Sequence, residues 1–408
     1  MQAQPTRHGN MQERIEWVIS QTAKLNGALR RDMRLVISPY RICPLGAHID
    51  HQDGLVTGLA IDRAVVMTFT PRQDRCVRMT SHDFGGVVEF ELDAVPSRQA
   101  GDWGNYVRGA VLALQQHHHL KAGMDAVVAG SMPIGGLSSS AAVGIACLLA
   151  LEHVNDLNIT PEENIALDRF IENGYLGLNN GILDQSTILL SDRQHLTSLD
   201  CRAVTFEKIP LPHSVELLDI TVVHSGVDRA LIGTDYNNRV AECREAARAM
   251  LELAGLPAKP IPLLRDVPDE VYGACADRLP EPLNRRARHF FDEMERVRQG
   301  ILAWRAGDLA SVGRLIVESG ASSIENYQCG SPQLIALYRI LRDTPGVYGT
   351  RFSGAGFRGA CIALSDPTVR EDITARVSSL YPKARPDMAE RYSIHFCRPD
   401  NAARLEVV

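Results

Sequence analysis

The sequence predicts an α+β protein built in two halves that join near residue 200. Three observations predict it. Strand-like runs and helical patterns are interspersed through the first half. The pattern then shifts: helices dominate from Pro280 to Leu341, and strands return at Val347 to Ser353 and Ala360 to Leu364. A glycine- and serine-rich turn, Pro133 to Ser140, joins a short strand to a long apolar helix.

Taken in order, Met11 to Leu29 predicts an amphipathic helix with Ile15, Val18, Ile19 and Thr22 on one stripe. Arg34 to Ser38 predicts a strand stopped by Pro39, and Leu55 to Thr70 a buried strand pair. Asp102 to His117 has a helical pattern, and Asp125 to Gly130 reads as a short strand. Ala141 to Val154 forms the apolar helix after the glycine turn. Pro161 to Tyr175 is a second helix, started by a Thr160–Glu163 capping box. Beyond residue 200, Leu217 to His224 predicts a strand and Asp235 to Ala254 a polar helix. A proline-rich connector follows from Leu256 to Pro268.

Composition narrows the function. The 408 residues are 45% hydrophobic and 23% charged, enough for a large core. The net charge of −6 argues against a protein that coats nucleic acid or an anionic membrane, but leaves room for a small anionic ligand. Nine scattered cysteines without a C-x-x-C pair argue against a zinc site or a disulfide framework, and suit a reducing cytoplasm. Met1 to Asn10 is polar, with no secretory signal, and the apolar run Ala141 to Leu151 is too short to span a bilayer.

Four segments carry chemistry. Pro133-Ile134-Gly135-Gly136-Leu137-Ser138-Ser139-Ser140-Ala141-Ala142 follows a strand and opens a helix, so backbone N–H groups, hydroxyls and the helix terminus can receive phosphate. It lacks the lysine of a Walker A loop. Gly354 to Gly359 matches G-x-G-x-x-G, but a strand follows where a dinucleotide site needs a helix; a tight turn close to another loop or ligand fits better. Ser38 to His51 presents Arg41, His48, Asp50 and His51 from a loop that follows a strand, which favours sugar or phosphate recognition over a metal site. Asn180 to Gln185 sets Asp184 beside Gly181, and alone could be only a turn. His117-His118-His119 reads as a solvated helix end.

Together these segments resemble the GHMP kinase superfamily, and within it the galactokinases. Arg41 to Gly54 looks like the sugar signature, Gly135 to Ala142 like the phosphate loop, and Ser353 to Gly359 like the third motif. Trp103-x-Asn105-Tyr106 and Tyr236-Asn237-x-Arg239 match as well. One departure matters: galactokinases carry Glu where Ala47 stands here, and that Glu contacts the sugar's C6 hydroxyl. A C6 carboxylate beside such a Glu would be repelled. The segments Tyr40 to His51, Ile171 to Ser186 and Ser353 to Gly359, with Arg358 where galactokinases have Gly, look like the uronic-acid kinases of plants.

The resemblance implies a two-domain fold: a ribosomal protein S5 domain 2-like part at 1–202 and a ferredoxin-like α/β part at 203–408. It implies an ATP-dependent kinase acting at the anomeric hydroxyl of D-galacturonate, with galactose or another galacto-configured sugar as the alternative. A non-catalytic sugar sensor is a further alternative, disfavoured by the intact serines of the phosphate loop. Asp184 would take the C1 hydroxyl proton, and Arg41 would stabilise charge on the transferring phosphoryl. Ala47, His48, Asp50, Gly181 and Tyr236 would line the sugar site. Gly135, Gly136, Leu137, Ser138, Ser139, Ser140 and Ala141 would hold the ATP phosphates, with Trp103 and Tyr106 flanking adenine unless they simply pack into the core. Ser140 and Glu172 would ligate Mg²⁺, because Gly144 stands where galactokinases often have another Glu. The implied partners are ATP and a small sugar acid, without nucleic acid or membrane, in the cytoplasm; the oligomeric state stays open.

Overall fold

A computed structural model describes residues 11–133, 135–211, 218–227 and 235–408. Met1 to Asn10, Ile134 and Leu217, which carry some of the expectations above, lie outside the described residues. In chain order the first part holds α1 (Met11–Asn26), β1 (Arg34–Ile42), β2 (Leu55–Arg72), β3 (Cys76–Ser81), β4 (Val87–Glu91), α2 (Asn105–Gln115), β5 (Gly123–Gly130), α3 (Ser139–Val154), α4 (Pro161–Arg169), α5 (Leu183–Leu190), β6 (His195–Asp200) and β7 (Thr205–Pro210). The rest holds β8 (Asp219–His224), α6 (Tyr236–Leu253), α7 (Asp269–Cys275), α8 (Leu283–Arg305), α9 (Leu309–Glu325), α10 (Pro332–Arg342), β9 (Val347–Phe352), β10 (Ala360–Ser365), α11 (Arg370–Ala384), β11 (Ser393–Cys397) and β12 (Arg404–Val407).

The first sheet runs β12-β1-β2-β5-β3-β4, with β6 paired to the start of β2 at Leu55–Gly58 and β7 paired to β6. The second is antiparallel, ordered β11-β8-β10-β9. Its chain path is β-α-β-β-α-β with the helices of α6–α10 and α11 as crossovers, which is the ferredoxin-like arrangement. Sheet membership crosses the expected division at residue 202. Strand β7 pairs with β6, and β12 returns at the chain's far end to pair Arg34 with Val407.

Local expectations change in three places. Pro39 does not stop β1; the strand continues to Ile42, and the ladder to β2 absorbs the missing N–H donor through a register shift between Pro39 and Tyr40. Leu55 to Thr70 belongs to one long strand, not a pair, because β2 serves β6 at one end and β1 and β5 along the rest. The first helix ends at Asn26, where Gly27 takes φ +75°.

Helix α3 is apolar nearly all round and is buried, contacting α2, α4 and the first sheet. Its fixed position carries its N-terminus, and the serines there, to the cleft beside the third-motif turn. All nine cysteines are buried and free. No helix among the described residues is long and apolar enough to cross a membrane.

Candidate active site

Strand β1 delivers Arg41 near its end, buried at 3% exposure. Asp184 sits in the first turn of α5, so the Asn180 to Gln185 segment is a helix start and not a free turn. Arg41 donates from Nε to Asp184 Oδ1 at 2.7 Å, and its Nη2 lies 2.6 Å from the same oxygen. Arg41 Nη1 also reaches the carbonyl of Gly136, at 3.5 Å. One guanidinium thus touches both the acid and the phosphate loop.

A cavity of about 660 Å³ opens around this pair. Ala47, His48, Asp50 and Tyr236 line it at one end, and Gly135, Gly136, Ser138, Ser139 and Ser140 at the other. Trp103 and Tyr106 line it too, and are only partly buried. Leu137 and Ala141 are buried and do not line it; Leu137 contributes its carbonyl to the Arg41 N–H at 3.4 Å. Gly181 lies behind Asp50: a Cβ there would come within 2.6 Å of Asp50 Oδ2, so only glycine lets the two segments meet.

The two glycine turns touch. Gly354 to Gly359 connects β9 to β10, and a Cβ on Gly359 would lie 2.4 Å from the Gly135 carbonyl carbon. Gly135 and Gly136 take φ +128° and +79°, and Ser138 precedes α3 at φ +59°. Ser138 Oγ and Arg358 Nη2 are buried without hydrogen-bond partners. Arg358 is 8% exposed, and burial lowers its pKa to about 10. Orphan donors beside backbone amides and a helix N-terminus are an arrangement that can receive an anion.

Glu172 lies in a π-helical turn, Phe170–Tyr175, that continues α4. It is fully buried and lines the cavity with Ser140. Asn180 donates to Oε2 at 2.5 Å, while Oε1 has no partner. Burial and then the Asp184 charge push its carboxyl up to about 7, against the pull of Ser140 and Asn180. An orphan carboxylate oxygen beside a hydroxyl fits Mg²⁺, which takes few protein oxygens and completes its shell with nucleotide phosphates and water. Among the described residues no group of three or more His, Cys, Asp or Glu is arranged to hold a metal. Asp168, one turn before Glu172, fills the space vacated at Gly144: a Cβ on Gly144 would lie 2.2 Å from its Oδ1. Burial, then Glu172 and Asp184, hold Asp168 far above the usual carboxylate range.

At the end lined by Ala47, His48 takes φ +59° and stacks on Tyr327, centroids 4.3 Å apart and planes at 5°. His51 meets the Tyr327 hydroxyl at 3.1 Å. Burial lowers His48 well below its usual range and takes His51 to about 3, so both are neutral at pH 7. Burial, with the Asp184 charge, raises Asp50 to about 6. Sequence reasoning missed three residues around the cavity. Glu293 of α8 accepts the N–H of Gly46 at 2.9 Å and of Ala47 at 3.0 Å and so pins the loop. Phe84 lies parallel to Trp103 within 14°, centroids 6.3 Å apart. Arg351, in β9, lines the cavity; an arginine inside a buried strand was the available signal.

Two family models match the chain: the GHMP kinases N terminal domain over residues 105–192 and the GHMP kinases C terminal over residues 298–383. A galacturonokinase of Arabidopsis thaliana is 44% identical, covering 94% of this chain and 96% of its own. A galactokinase of Roseiflexus sp. is 38% identical, covering 85% and 90%. The crystal structure of Lactococcus lactis galactokinase complexed with galactose superposes with a TM-score of 0.87 at 29% identity, over 96% of this chain and 99% of that one. Methanococcus jannaschii mevalonate kinase shares the fold, with a TM-score of 0.64 at 16% identity.

Proposed function

The chain belongs to the GHMP kinases, and on that premise we propose that it transfers the γ-phosphoryl of ATP to the anomeric hydroxyl of D-galacturonate, giving α-D-galacturonate 1-phosphate and ADP. The 44% identity to a galacturonokinase over nearly the whole chain supports this activity. The observation that carries galacturonate over galactose is Ala47, a small uncharged residue in the cavity wall where galactokinases bear a carboxylate. The nearby carboxylate of Glu293 faces away, committed to the backbone of Gly46 and Ala47, to Ser319 at 2.7 Å and to Arg296 at 2.7 Å.

Phosphoryl transfer asks the protein for positioning and charge neutralisation. Asp184 accepts the proton of the C1 hydroxyl as its oxygen bonds to phosphorus and the bond to ADP breaks. Arg41 spans the site, one edge on Asp184 and one toward the phosphate loop, and stabilises charge on the phosphoryl in flight. Asp50, His48 and Tyr236 hold the sugar hydroxyls. Ser138, Ser139, Ser140 and the amides of Gly135 and Gly136 hold the phosphates, and Trp103 and Tyr106 flank the adenine. Ser140 and Glu172 would hold Mg²⁺, which would supply further neutralisation of the nucleotide's charge.

The test is a substrate panel of galacturonate, galactose, glucuronate and N-acetylgalactosamine with ATP and Mg²⁺, the product located by NMR at C1. Galacturonate should give the highest kcat/KM. A higher value for galactose would overturn the choice of substrate.

A further inference from the structure

A buried cation with no anion beside it marks a place where a ligand brings the anion, because an unpaired charge in the interior costs several kcal/mol. Of the arginines that line the cavity, Arg41 is paired with Asp184, Arg14 is bonded to His82 and Arg391 is exposed; Arg351 and Arg358 are buried, with no carboxylate ion pair among the described residues. Arg358 stands on the turn that packs against Gly135, which assigns it to the phosphate end. Arg351 stands at the other end. It is 2% exposed, and its Nη1 donates to the carbonyl of Cys43 at 3.2 Å, four residues before Ala47. Its Nε is buried and without a partner.

We infer that Arg351 is the residue that receives the C6 carboxylate of the substrate, in the space opened by Ala47. The inference rests on the galacturonate reading above and extends it to a specificity-determining contact. The histidines beside it are not cations that could share the role. Burial and the Arg351 charge keep His48 neutral, and His289, taken by burial to about 4, spends Nε2 on the Ala47 carbonyl at 2.9 Å. The acid nearest in kind, Glu293, is saturated by four donors and is outside the cavity wall. A planar guanidinium suits a planar carboxylate, and a neutral C6 hydroxymethyl would leave the cation uncompensated.

The experiment compares galacturonate with its uncharged methyl ester and with galactose, on the full-length enzyme. Arg351→Gln should lower kcat/KM for galacturonate by about 30-fold or more relative to the ester, mostly through KM. Arg351→Lys should keep part of the preference for the acid. In the Ala47→Glu background, where a protein carboxylate meets the cation, Arg351→Gln should cost galacturonate little more. Equal losses on acid and ester in both Arg351 variants would overturn the assignment and leave a structural role. If Arg351→Gln does not fold, Arg351→Lys decides, since loss of its preference for the acid also overturns the assignment. A wild-type enzyme inactive on galacturonate would instead overturn the substrate reading on which the assignment rests.

Discussion

Arg41 and Asp184 share a single oxygen: Nε at 2.7 Å and Nη2 at 2.6 Å both reach Asp184 Oδ1. Arg41 does not hold the second carboxylate oxygen, the one the proposed proton transfer would use. The pair joins the end of β1 to the start of α5, so neither element alone displays the site.

That arrangement predicts the consequence of removing the base. Asp184→Asn keeps the shape and the contact with Arg41 but cannot take a proton at neutral pH. Turnover should fall by about 10² or more, with nucleotide binding retained. Steady-state kinetics with calorimetric titration of ATP checks both halves, and near-normal turnover would remove Asp184 from proton transfer.

Glu172 predicts a trade between stability and activity. Its pKa is about 7 in the folded chain against 4.5 unfolded. The folded state therefore keeps a proton that the unfolded chain loses, so this group's contribution to stability is fully present below pH 4.5 and is lost as pH rises to about 7. Above that, the ionised buried carboxylate costs on the order of 3 kcal/mol. In buffer free of magnesium and nucleotide, Glu172→Gln should melt higher than the parent at pH 8 and like it near pH 4.5. The same variant should lose at least roughly 10-fold in Mg²⁺-dependent turnover. Parallel melting curves at the two pH values would show that burial does not strain this acid.

Much of this site was legible locally. Thr160 and Glu163 do exchange both capping bonds, at 3.2 and 2.8 Å, and the Gly354 to Gly359 segment does turn between strands against another loop. Such features depend on neighbours within a few residues. What stayed hidden depends on distant partners. No local pattern tells Arg404 to Val407 to pair with β1, and β7 is exposed along most of its length, so neither shows strand periodicity. Asp168 reads as one polar residue of α4 until Gly144 is seen to make room for it. Arg351 reads as a strand residue until the fold sets it in the cavity wall with no carboxylate ion pair among the described residues.

Trp103 and Phe84 make the nucleotide end testable. The Trp103 indole is fixed by donating to the Gly85 carbonyl at 3.1 Å, and Phe84 is exposed beside it. Stacking a base on an aromatic ring is worth about 1–3 kcal/mol. Trp103→Ala should therefore raise KM for ATP roughly 10-fold or more, with kcat at saturating ATP little changed. An unchanged KM would return Trp103 to a packing role.

Ala47→Glu tests the specificity argument at its source. The residue lies at 2% exposure in the cavity wall, and its N–H and carbonyl are already bound to Glu293 and His289, so the loop will not shift freely. A glutamate side chain would project into the space that the proposed function gives to the C6 group. In a poorly solvated site two carboxylates in contact repel by several kcal/mol, whereas a carboxylate and a hydroxymethyl can share a hydrogen bond. The variant should lose galacturonate by about 10²-fold or more in kcat/KM and gain on galactose relative to the parent. The loss should be the same at pH 6 and pH 8, because a glutamate beside the Arg351 cation is ionised throughout that range. The parallel measurement of both sugars separates this from simple crowding. Crowding would penalise the two substrates alike, and galacturonate turnover left intact would refute the charge argument altogether.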